Sequence, residues 1–428
     1  MAEQTTHPRP RLDPRLVASI LAPFAFGYFL SYLYRAVNAV AAPDLVRDIG
    51  LSASELGFLT AVYLLAFAGF QLPLGILLDR FGPRRVQAVL MAVTGVGALL
   101  FAAGGGLWSL SAGRALIGIG CAGGLMAGFK AVALWFPEER RALANSIIMA
   151  VGGVGILAAT MPADYAIQAV GWRGMFLGLV ALSLAIAALI YLVVPDGGSR
   201  PAGEENWRRQ IQVVARIYGD PVFWRVAPLV ALTAGSHVAI HTLWAGPWLS
   251  DVARLGRDAV AANLALVAIG FLTGTLIMGA IADWLGRHGI SLLHVMLGYI
   301  VAFMTVQLAI VLQWTSAASL LWLVFGMVGQ SGILAYPWLS RYFGVGVAGR
   351  ANTALNFITF STAFVIQFVI GAIIDMWPAT QAGGYAPQAY QVAFGLVLGL
   401  QAVALMWYLW KAPDQQATAA ISEKGLAS

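Results

Sequence analysis

Twelve long apolar runs make up most of the chain, and they constrain its fold more than any other feature. The runs lie near residues 16–40, 56–78, 86–106, 112–136, 143–168, 173–194, 223–250, 259–281, 290–313, 317–339, 351–377 and 388–410. Each is close to the roughly 20 apolar residues that an α-helix needs to cross a bilayer. Only 10% of the 428 residues are charged, against roughly 25% in an ordinary soluble domain. The sequence therefore predicts an all-α membrane protein with twelve transmembrane helices embedded in the lipid bilayer.

The positions of the cationic residues indicate how the spans cross the membrane. Of the 25 Lys and Arg residues, 18 fall in segments on the side of the two termini and 4 fall in loops on the opposite side. Lys and Arg concentrate in cytoplasmic loops, so both termini are expected in the cytoplasm. The excess of Arg over Lys favours a bacterial inner membrane. Because the net charge of +6 is spread over short loops, no nucleic-acid partner is expected.

The chain divides into two halves that repeat each other. A Gly-x-x-x-Asp pattern after the second run recurs after the eighth run, 204 residues later. Parallel six-helix repeats, with the substrate site near the midplane between them, are a recurring transporter architecture. Between the halves lies a polar, Arg-rich linker, in which residues 206–218 fit either a short amphipathic helix or a flexible connector. The predicted divisions are a cytoplasmic tail (1–15), a six-helix half (16–194), the cytoplasmic linker (195–222), a second six-helix half (223–410) and a cytoplasmic tail (411–428).

The loop between the second and third runs combines glycines, one acid and several arginines. It reads Gly75-Ile-Leu-Leu-Asp79-Arg80-Phe-Gly82-Pro-Arg84-Arg85, with a weaker copy around Asp283. The glycines permit close helix approach and a tight turn, and Asp79 can pair with a neighbouring arginine and face a helix N-terminus. The pattern predicts either a latch between the cytoplasmic ends of the halves or a solvated turn.

This motif resembles the loop motif of the major facilitator superfamily. The sequence Arg114-x-x-x-Gly118-x-Gly120 in the fourth run is similar to a second motif of that superfamily, and the resemblance covers nearly the whole chain. It implies the major facilitator fold and a latch that holds the outward-facing state and breaks when the protein opens inward. We group Arg114 with the latch as a structural residue that holds loop carbonyls or Asp164.

Three cations, Arg35, Arg114 and Lys130, lie inside apolar runs, whereas all 19 acidic residues fall in loops or at span ends. An ionisable group inside the membrane is costly and by default indicates a functional site. Residues on the same helical face as Arg35 are polar and predict a wall of a water-filled cavity. They are Tyr28, Ser31, Tyr32 and Asn38. The alternative for Arg35 and for Lys130 is a long side chain that extends to the membrane interface.

The first and fourth runs carry a further resemblance. The stretch from Tyr34 and Arg35 through Asn38 to Pro43 resembles span one of the organophosphate:phosphate antiporters and the anion:cation symporters, and the run from Lys130 to Pro137 resembles span four of these branches and of nitrate/nitrite porters. The resemblance implies that Arg35 binds the substrate anion, and that Lys130 takes part. The antiporters have a second arginine where this chain has Ala239. Its absence disfavours a phosphate ester, since two guanidinium groups suit a dianionic phosphate better than one.

Two further groups are candidate cavity residues. In the seventh run, His237, His241, Trp244 and Trp248 follow the spacing of one helical face and predict a wall that donates hydrogen bonds and stacks on a substrate. Since histidine changes its charge between pH 5 and 8, His237 and His241 are also the candidates for carrying a coupling proton. No acid or cysteine near them completes a metal site. In the eleventh run, Asn356 is expected either to complete the cavity or to satisfy contacts between helices.

Together these features predict a monomeric secondary transporter, without a cofactor or metal, that moves a small organic anion by alternating access. A carboxylate is the expected substrate, and proton coupling is one option. The alternatives are an organophosphate or inorganic-anion exchanger, a drug:proton antiporter, and a non-transporting membrane sensor on the same fold. The sequence has no nucleotide-binding loop and no arrangement of a nucleophile or metal ligands, so we do not expect an enzyme.

Overall fold

A computed structural model describes residues 14–196, 207–380 and 384–410. These residues form helices and turns and contain no strand. Almost all of the predicted tails, residues 1–13 and 411–428, and residues 197–206 of the predicted linker lie outside the described residues. Eleven helical segments have the length and hydropathy of a membrane span, and the shorter apolar helix Leu143–Ala158 supplies another. The prediction of an all-α fold with twelve transmembrane helices is confirmed.

The first six spans form the first half, and the last six form the second half. Span one comprises Pro14–Ala36 and Asn38–Ile49, and span four comprises Leu107–Cys121 and Gly124–Trp135. Spans two and three form Ala53–Ala103 and are separated by the turn at Gly82. Span five comprises Glu138–Ala158 and the part of Met161–Val193 before its turn at Gly171, and span six is the part after that turn. Span seven comprises Phe223–Ala239, Ile240–Trp244 and Ala245–Asp251; span eight Arg257–Arg287; span nine Leu292–Val311; span ten Ala318–Val328, Ser331–Leu334 and Ala335–Phe343; span eleven Val345–Ile374; span twelve Pro387–Trp410.

Local sequence explains where span two begins and ends. Ser52 accepts a hydrogen bond from the Glu55 N–H at 3.2 Å, and the Glu55 carboxylate accepts one from the Ser52 N–H at 2.9 Å. This capping box satisfies backbone donors at the start of the helix. At the other end Gly82 has φ 76° and ψ 160°, a conformation that favours glycine because a Cβ would be strained there. The predicted tight turn of the loop motif therefore lies at Gly82.

The first span of each half is interrupted near its middle. Span one breaks at Val37, between helices that end at Ala36 and begin at Asn38. In span seven the π-helical turn Ile240–Trp244 contains His241, which lies 204 residues after Val37. Discontinuous helices near the midplane are a feature of transporter binding sites. The repeat seen in the sequence thus extends to the irregular backbone of both halves.

The linker forms the helix Trp207–Tyr218, so of the two alternatives the helix is correct. Ile217 is buried against the second half, and the Tyr218 hydroxyl donates a hydrogen bond to the Ala354 carbonyl oxygen at 3.2 Å. These contacts attach the linker to the terminus side of span eleven, where the terminus side is the face of the molecule that carries residues 14 and 410.

Contacts between the halves concentrate on the opposite face, which we call the far side. Asp375, at the end of span eleven, accepts hydrogen bonds from the backbone N–H groups of Ala53 and Ser54 at 2.8 Å. Burial by itself would raise the pKa of the Asp375 carboxyl, but these bonds and that of the Ser54 hydroxyl outweigh burial and lower the pKa. Because the pKa is lowered, this contribution to far-side closure is complete at neutral pH and is lost only as the pH falls into the acid range.

Among the described side chains, the far-side contacts between spans two and eleven continue inward as far as two phenylalanines. Gln367 donates a hydrogen bond to the Thr60 hydroxyl at 2.8 Å, and the Phe67 and Phe360 rings lie 4.9 Å apart. Beyond that level both spans continue for about 20 Å toward the terminus side. Asp79 there has a half-exposed side chain. The molecule is therefore closed at the far side and open at the terminus side.

We predict that Gly371→Val holds the far side open. A Cβ at Gly371 would collide with the Ala53 carbonyl oxygen and lie 2.9 Å from the Ser54 Cα, so spans two and eleven must separate to accept valine. Distances between spin labels at Gly105 and Met376 should lengthen. In the control Gly399→Val, where a Cβ meets no atom within 4 Å, they should not change. Equal distance distributions in the two variants would contradict this account of closure.

Candidate functional site

Arg35 lies where the two halves meet, at the last turn of the helix that ends at Ala36, and it is 8% exposed. Three aromatic rings surround its guanidinium carbon. The Tyr32 and Phe67 centroids, from the first half, lie 4.9 and 4.7 Å away, and the Phe360 centroid, from the second half, lies 5.0 Å away. Aromatic faces attract a cation through their quadrupole. The rings thus hold the guanidinium in place, with contributions from both halves.

The Arg35 charge has no counter-ion among the described residues. None of their ion pairs includes Arg35, and its Nε has no hydrogen-bond partner. Rings do not neutralise a buried cation, and a buried charge without a partner is costly. A guanidinium group presents donors in a planar fork that matches a carboxylate. The arrangement can therefore bind a small anion.

Further aromatic and polar side chains extend this site. Tyr28 and Tyr32 pack edge to face with centroids 4.9 Å apart, and Tyr32 lies 5.9 Å from Phe271 of the second half. Tyr32 thus contacts both Arg35 and Tyr28, and a role of the two tyrosines in substrate binding stays a prediction. On span eleven, the Asn356 side-chain oxygen accepts a hydrogen bond from the Tyr336 hydroxyl at 3.1 Å.

Asn38 and Arg114 form a separate, structural group. Asn38 directly follows the break at Val37, and its side-chain oxygen accepts hydrogen bonds from Arg114 Nη2 at 3.2 Å and Nε at 3.3 Å. Arg114 Nη1 donates to the Tyr34 carbonyl oxygen at 3.0 Å. Asp164, the other partner considered for Arg114, instead binds Arg257. The predictions of Asn38 in the substrate wall and Arg114 in the latch are both corrected, because each satisfies the other beside a helix break.

Lys130 does not join Arg35. Its ammonium group lies 2.6 Å from an Asp79 carboxylate oxygen, on the open terminus side, with 38% of the side chain exposed. Asp79 was predicted to pair with an arginine of its own loop, but Arg84 and Arg85 instead approach Asp196, at 3.6 and 3.0 Å. Lys130 therefore belongs with the loop motif in this conformation.

The remaining loop residues make few contacts in this conformation. Arg80 lies over the adjacent Phe81 ring, 5.1 Å from its centroid. A Cβ at Gly75 would meet no atom within 4 Å, so the predicted close helix approach is not made there. Asp283, in the weaker copy of the motif, is exposed. These residues do not join the halves while the terminus side is open, and the latch remains a prediction for the opposite conformation.

The predicted wall of histidines and tryptophans on span seven is interrupted. His241 Nδ1 donates a hydrogen bond to the His237 carbonyl oxygen at 2.8 Å, and the two rings lie 4.7 Å apart, so the histidines stay adjacent. The π-helical turn adds a residue to the turn and rotates the tryptophans away. Trp244 is fully buried and donates to the Gln367 carbonyl oxygen at 3.0 Å, and Trp248 packs on Trp322. Trp244 is thus a packing residue and not part of the cavity wall.

The two histidines differ in their surroundings. His237 is enclosed by Phe271, Phe303 and Phe325, whose centroids lie between 5.2 and 6.3 Å from it, and its Nε2 has no hydrogen-bond partner. His241 lines a small cavity between the halves, together with Ala36 and Ala39 of span one. Only His241 therefore lies next to the segment that carries Arg35.

Sequence reasoning missed the phenylalanines of the site. Phe67, Phe271 and Phe360 lie inside apolar runs, where an aromatic residue is typical of a lipid-facing or core position, and they have no local signal that places them over a cation. Tyr336 was missed as well. Only the repeat, which pairs spans two and eight and spans five and eleven, could have suggested that these runs meet at span one.

Comparisons with known proteins agree with this architecture. Residues 24–367 match the family model described as Major Facilitator Superfamily. A probable sulfoacetate transporter of Cupriavidus necator is 26% identical over 281 residues, which cover 62% of this chain and 64% of the relative. A probable L-galactonate transporter of Escherichia coli is 25% identical over 386 residues, 84% of each chain. The chain thus matches less than two thirds of the length of the sulfoacetate relative.

Solved structures show the same fold. A bacterial homolog of the human lysosomal transporter Spinster, in an inward-facing and unoccupied conformation, superimposes with a TM-score of 0.70. The match covers 93% of this chain and 97% of that chain at 16% identity. At this identity the likeness concerns the fold alone.

We predict that Arg114→Met destabilises the protein. The substitution leaves the Tyr34 carbonyl and the Asn38 side-chain oxygen without their donor, at a cost of about 1–3 kcal/mol for each unpaired buried acceptor. The melting temperature of the purified protein should fall. Arg80→Met, which removes an exposed arginine, is the control and should leave it unchanged. Equal melting temperatures of the Arg114→Met and Arg80→Met variants would show that Arg114 does not stabilise the break in span one.

Proposed function

The chain belongs to the Major Facilitator Superfamily, and from this premise we propose that it is a secondary transporter in which Arg35 binds the carboxylate group of a small organic anion. Membership makes it a membrane transporter and not an enzyme. The observation that carries the substrate class is the buried Arg35 guanidinium, which has no counter-ion in the part of the chain that the structure describes. The names of the two relatives, for sulfoacetate and L-galactonate, support an organic acid.

The number of cations at the site favours a singly charged group on the substrate. Arg114 is bound to neutral acceptors, and Lys130 is paired with Asp79. Among the described residues, Arg35 therefore offers the one guanidinium at the centre of this interface that has neither an ion pair nor the buried neutral acceptors of Arg114. One fork matches one carboxylate or sulfonate, whereas a phosphate dianion is better served by two. The single guanidinium therefore favours an organic acid over an organophosphate.

The division of the rings around Arg35 between the two halves supports alternating access as the proposed mechanism. Tyr32 and Phe67 belong to the half that carries Arg35, while Phe360 belongs to the other half. A rocking motion that closes the terminus side and opens the far side would carry Phe360 away from the guanidinium and expose Arg35 to the far side. If the termini are cytoplasmic, as the charge distribution predicts, the present conformation is inward-open.

We predict that Arg35→Gln abolishes substrate binding and that Arg35→Lys lowers affinity at least tenfold, because a point charge does not replace a bidentate fork. The probes are sodium L-galactonate and sodium sulfoacetate, tested by thermal shift of the purified protein and by uptake into proteoliposomes. A ligand that binds only the folded state raises the melting temperature.

Lys130→Gln is the matched control, since it also removes an intramembrane cation but one that is paired with Asp79. It should leave affinity within about threefold of wild type. Normal uptake by Arg35→Gln would overturn the proposed site. A larger loss in Lys130→Gln than in Arg35→Lys would instead place the anion at Lys130.

For coupling, we propose that His241 carries the proton and that His237 does not. His241 lines the cavity next to Ala36, so a proton on its ring adds positive charge close to the bound anion. The His237 ring is enclosed by phenylalanine rings, and its Nε2 has no hydrogen-bond partner. Of the two candidate carriers of the coupling proton, only His241 is retained in the proposal.

We predict that His241→Gln removes the stimulation of L-galactonate or sulfoacetate uptake by an inward proton gradient, while exchange of the same anion across the membrane persists. His237→Gln should retain the stimulation. If both variants respond to the gradient like wild type, another group carries the proton. If wild type itself does not respond, exchange becomes the better account of transport.

A further inference from the structure

One arginine joins the halves at the far side through two acids. Arg257, the first residue of span eight, binds Asp164 through Nε at 2.6 Å and Asp44 through Nη2 at 2.8 Å. Both acids belong to the first half and are almost buried, whereas 39% of the Arg257 side chain is exposed. Arg257 therefore already binds two carboxylate groups while the far side is closed.

The repeat-related position shows that closure does not require an arginine. Ala53, 204 residues before Arg257, begins span two, and its backbone N–H donates to the Asp375 carboxylate at 2.8 Å. Asp375 ends span eleven, and Asp164 lies at the far end of span five, which is the counterpart of span eleven. Asp375 of the second half binds backbone donors of the first half, whereas Asp164 of the first half binds the Arg257 guanidinium of the second half. At the repeat-related position, backbone N–H groups bind the acid, so the Arg257 side chain is an additional feature of the second half.

Arg257 also separates an outer depression from an inner cavity. The outer depression, of about 610 Å³, is lined by Arg257, Asp44, Arg47 and Arg173. The inner cavity, of about 170 Å³, is lined by Arg257, Asp164, Ala39 and Gly246. Ala39 also lines the next cavity inward, with Ala36 and His241. Voids therefore follow one another from the far-side surface, past Arg257, to the residue next to Arg35.

We propose that Arg257 is a second, external binding site for the carboxylate group of the substrate. Opening of the far side moves Arg257 away with the second half and leaves Asp44 and Asp164 with the first half. The guanidinium, freed of both acids, then faces the entrance to the path that leads to Arg35. The carboxylate of an incoming substrate can make the same hydrogen bonds to Arg257 that the Asp44 and Asp164 carboxylates make in the closed state. The inference rests on the proposed function, since it requires an anionic substrate.

The test compares Arg257→Gln with Asp375→Asn. Both variants weaken far-side closure, at repeat-related points, but only the first removes a guanidinium. Uptake of L-galactonate and of sulfoacetate is measured in proteoliposomes with the far side facing the medium. Loss of hydrogen bonds to a charged group predicts at least a tenfold higher KM for Arg257→Gln, and Asp375→Asn should stay within about threefold of wild type.

Two further variants separate loss of the binding site from misfolding and from weaker closure of the far side. Arg257→Lys keeps the charge and loses the fork, so it should raise KM by less than Arg257→Gln, and it carries the test if the glutamine variant fails to insert. The double variant Asp44→Asn with Asp164→Asn opens the gate and keeps the guanidinium, so it should not raise KM.

The outcomes separate this inference from the proposed function. Equal KM values for Arg257→Gln and Asp375→Asn, in a protein whose uptake is abolished by Arg35→Gln, would overturn the external site alone and leave Arg257 as a gate residue. Wild-type protein that takes up neither anion would overturn the proposed function and, with it, the external site.

Discussion

The buried guanidinium of Arg35 is the interaction on which the rest of the structure depends. Placing an arginine at the centre of a membrane helix costs about 2.5–3.5 kcal/mol on insertion scales. The chain offsets part of this cost with three aromatic rings and does not supply an acid among the described residues. Since one of the rings comes from the second half, the two halves meet at this charge. A bound anion would complete the compensation that the protein leaves open.

The other charges are arranged so that they do not compete with this site. Three acids near span ends, Asp79, Asp48 and Asp164, pair with Lys130, Arg173 and Arg257 respectively. Arg114 is buried but serves two neutral acceptors beside the break in span one. These carboxylates thus connect helix ends, while the buried Arg35 takes part in none of the ion pairs of the described residues.

Much of the fold could be predicted because it depends on local composition. Twelve spans follow from hydropathy, the turn at Gly82 from its motif, and the grouping of Arg35 with Tyr32 from helical spacing. Trp244 could not be placed, because ideal spacing does not anticipate the π-helical turn that rotates it. Asn38 was misplaced because its partner, Arg114, lies in another span. Lys130 was misplaced because its partner, Asp79, lies 51 residues earlier, and only packing brings the two together. The repeat offset of 204 residues relates Val37 to His241, so a break found in one half would have indicated the other.

The most direct test of the central claim is a cryo-electron microscopy map of the protein with bound L-galactonate or sulfoacetate. The account predicts density for the acid group within about 3 Å of the Arg35 guanidinium, between the Tyr32, Phe67 and Phe360 rings. An anion bound at Lys130 or elsewhere between the halves, with no density at Arg35, would contradict it.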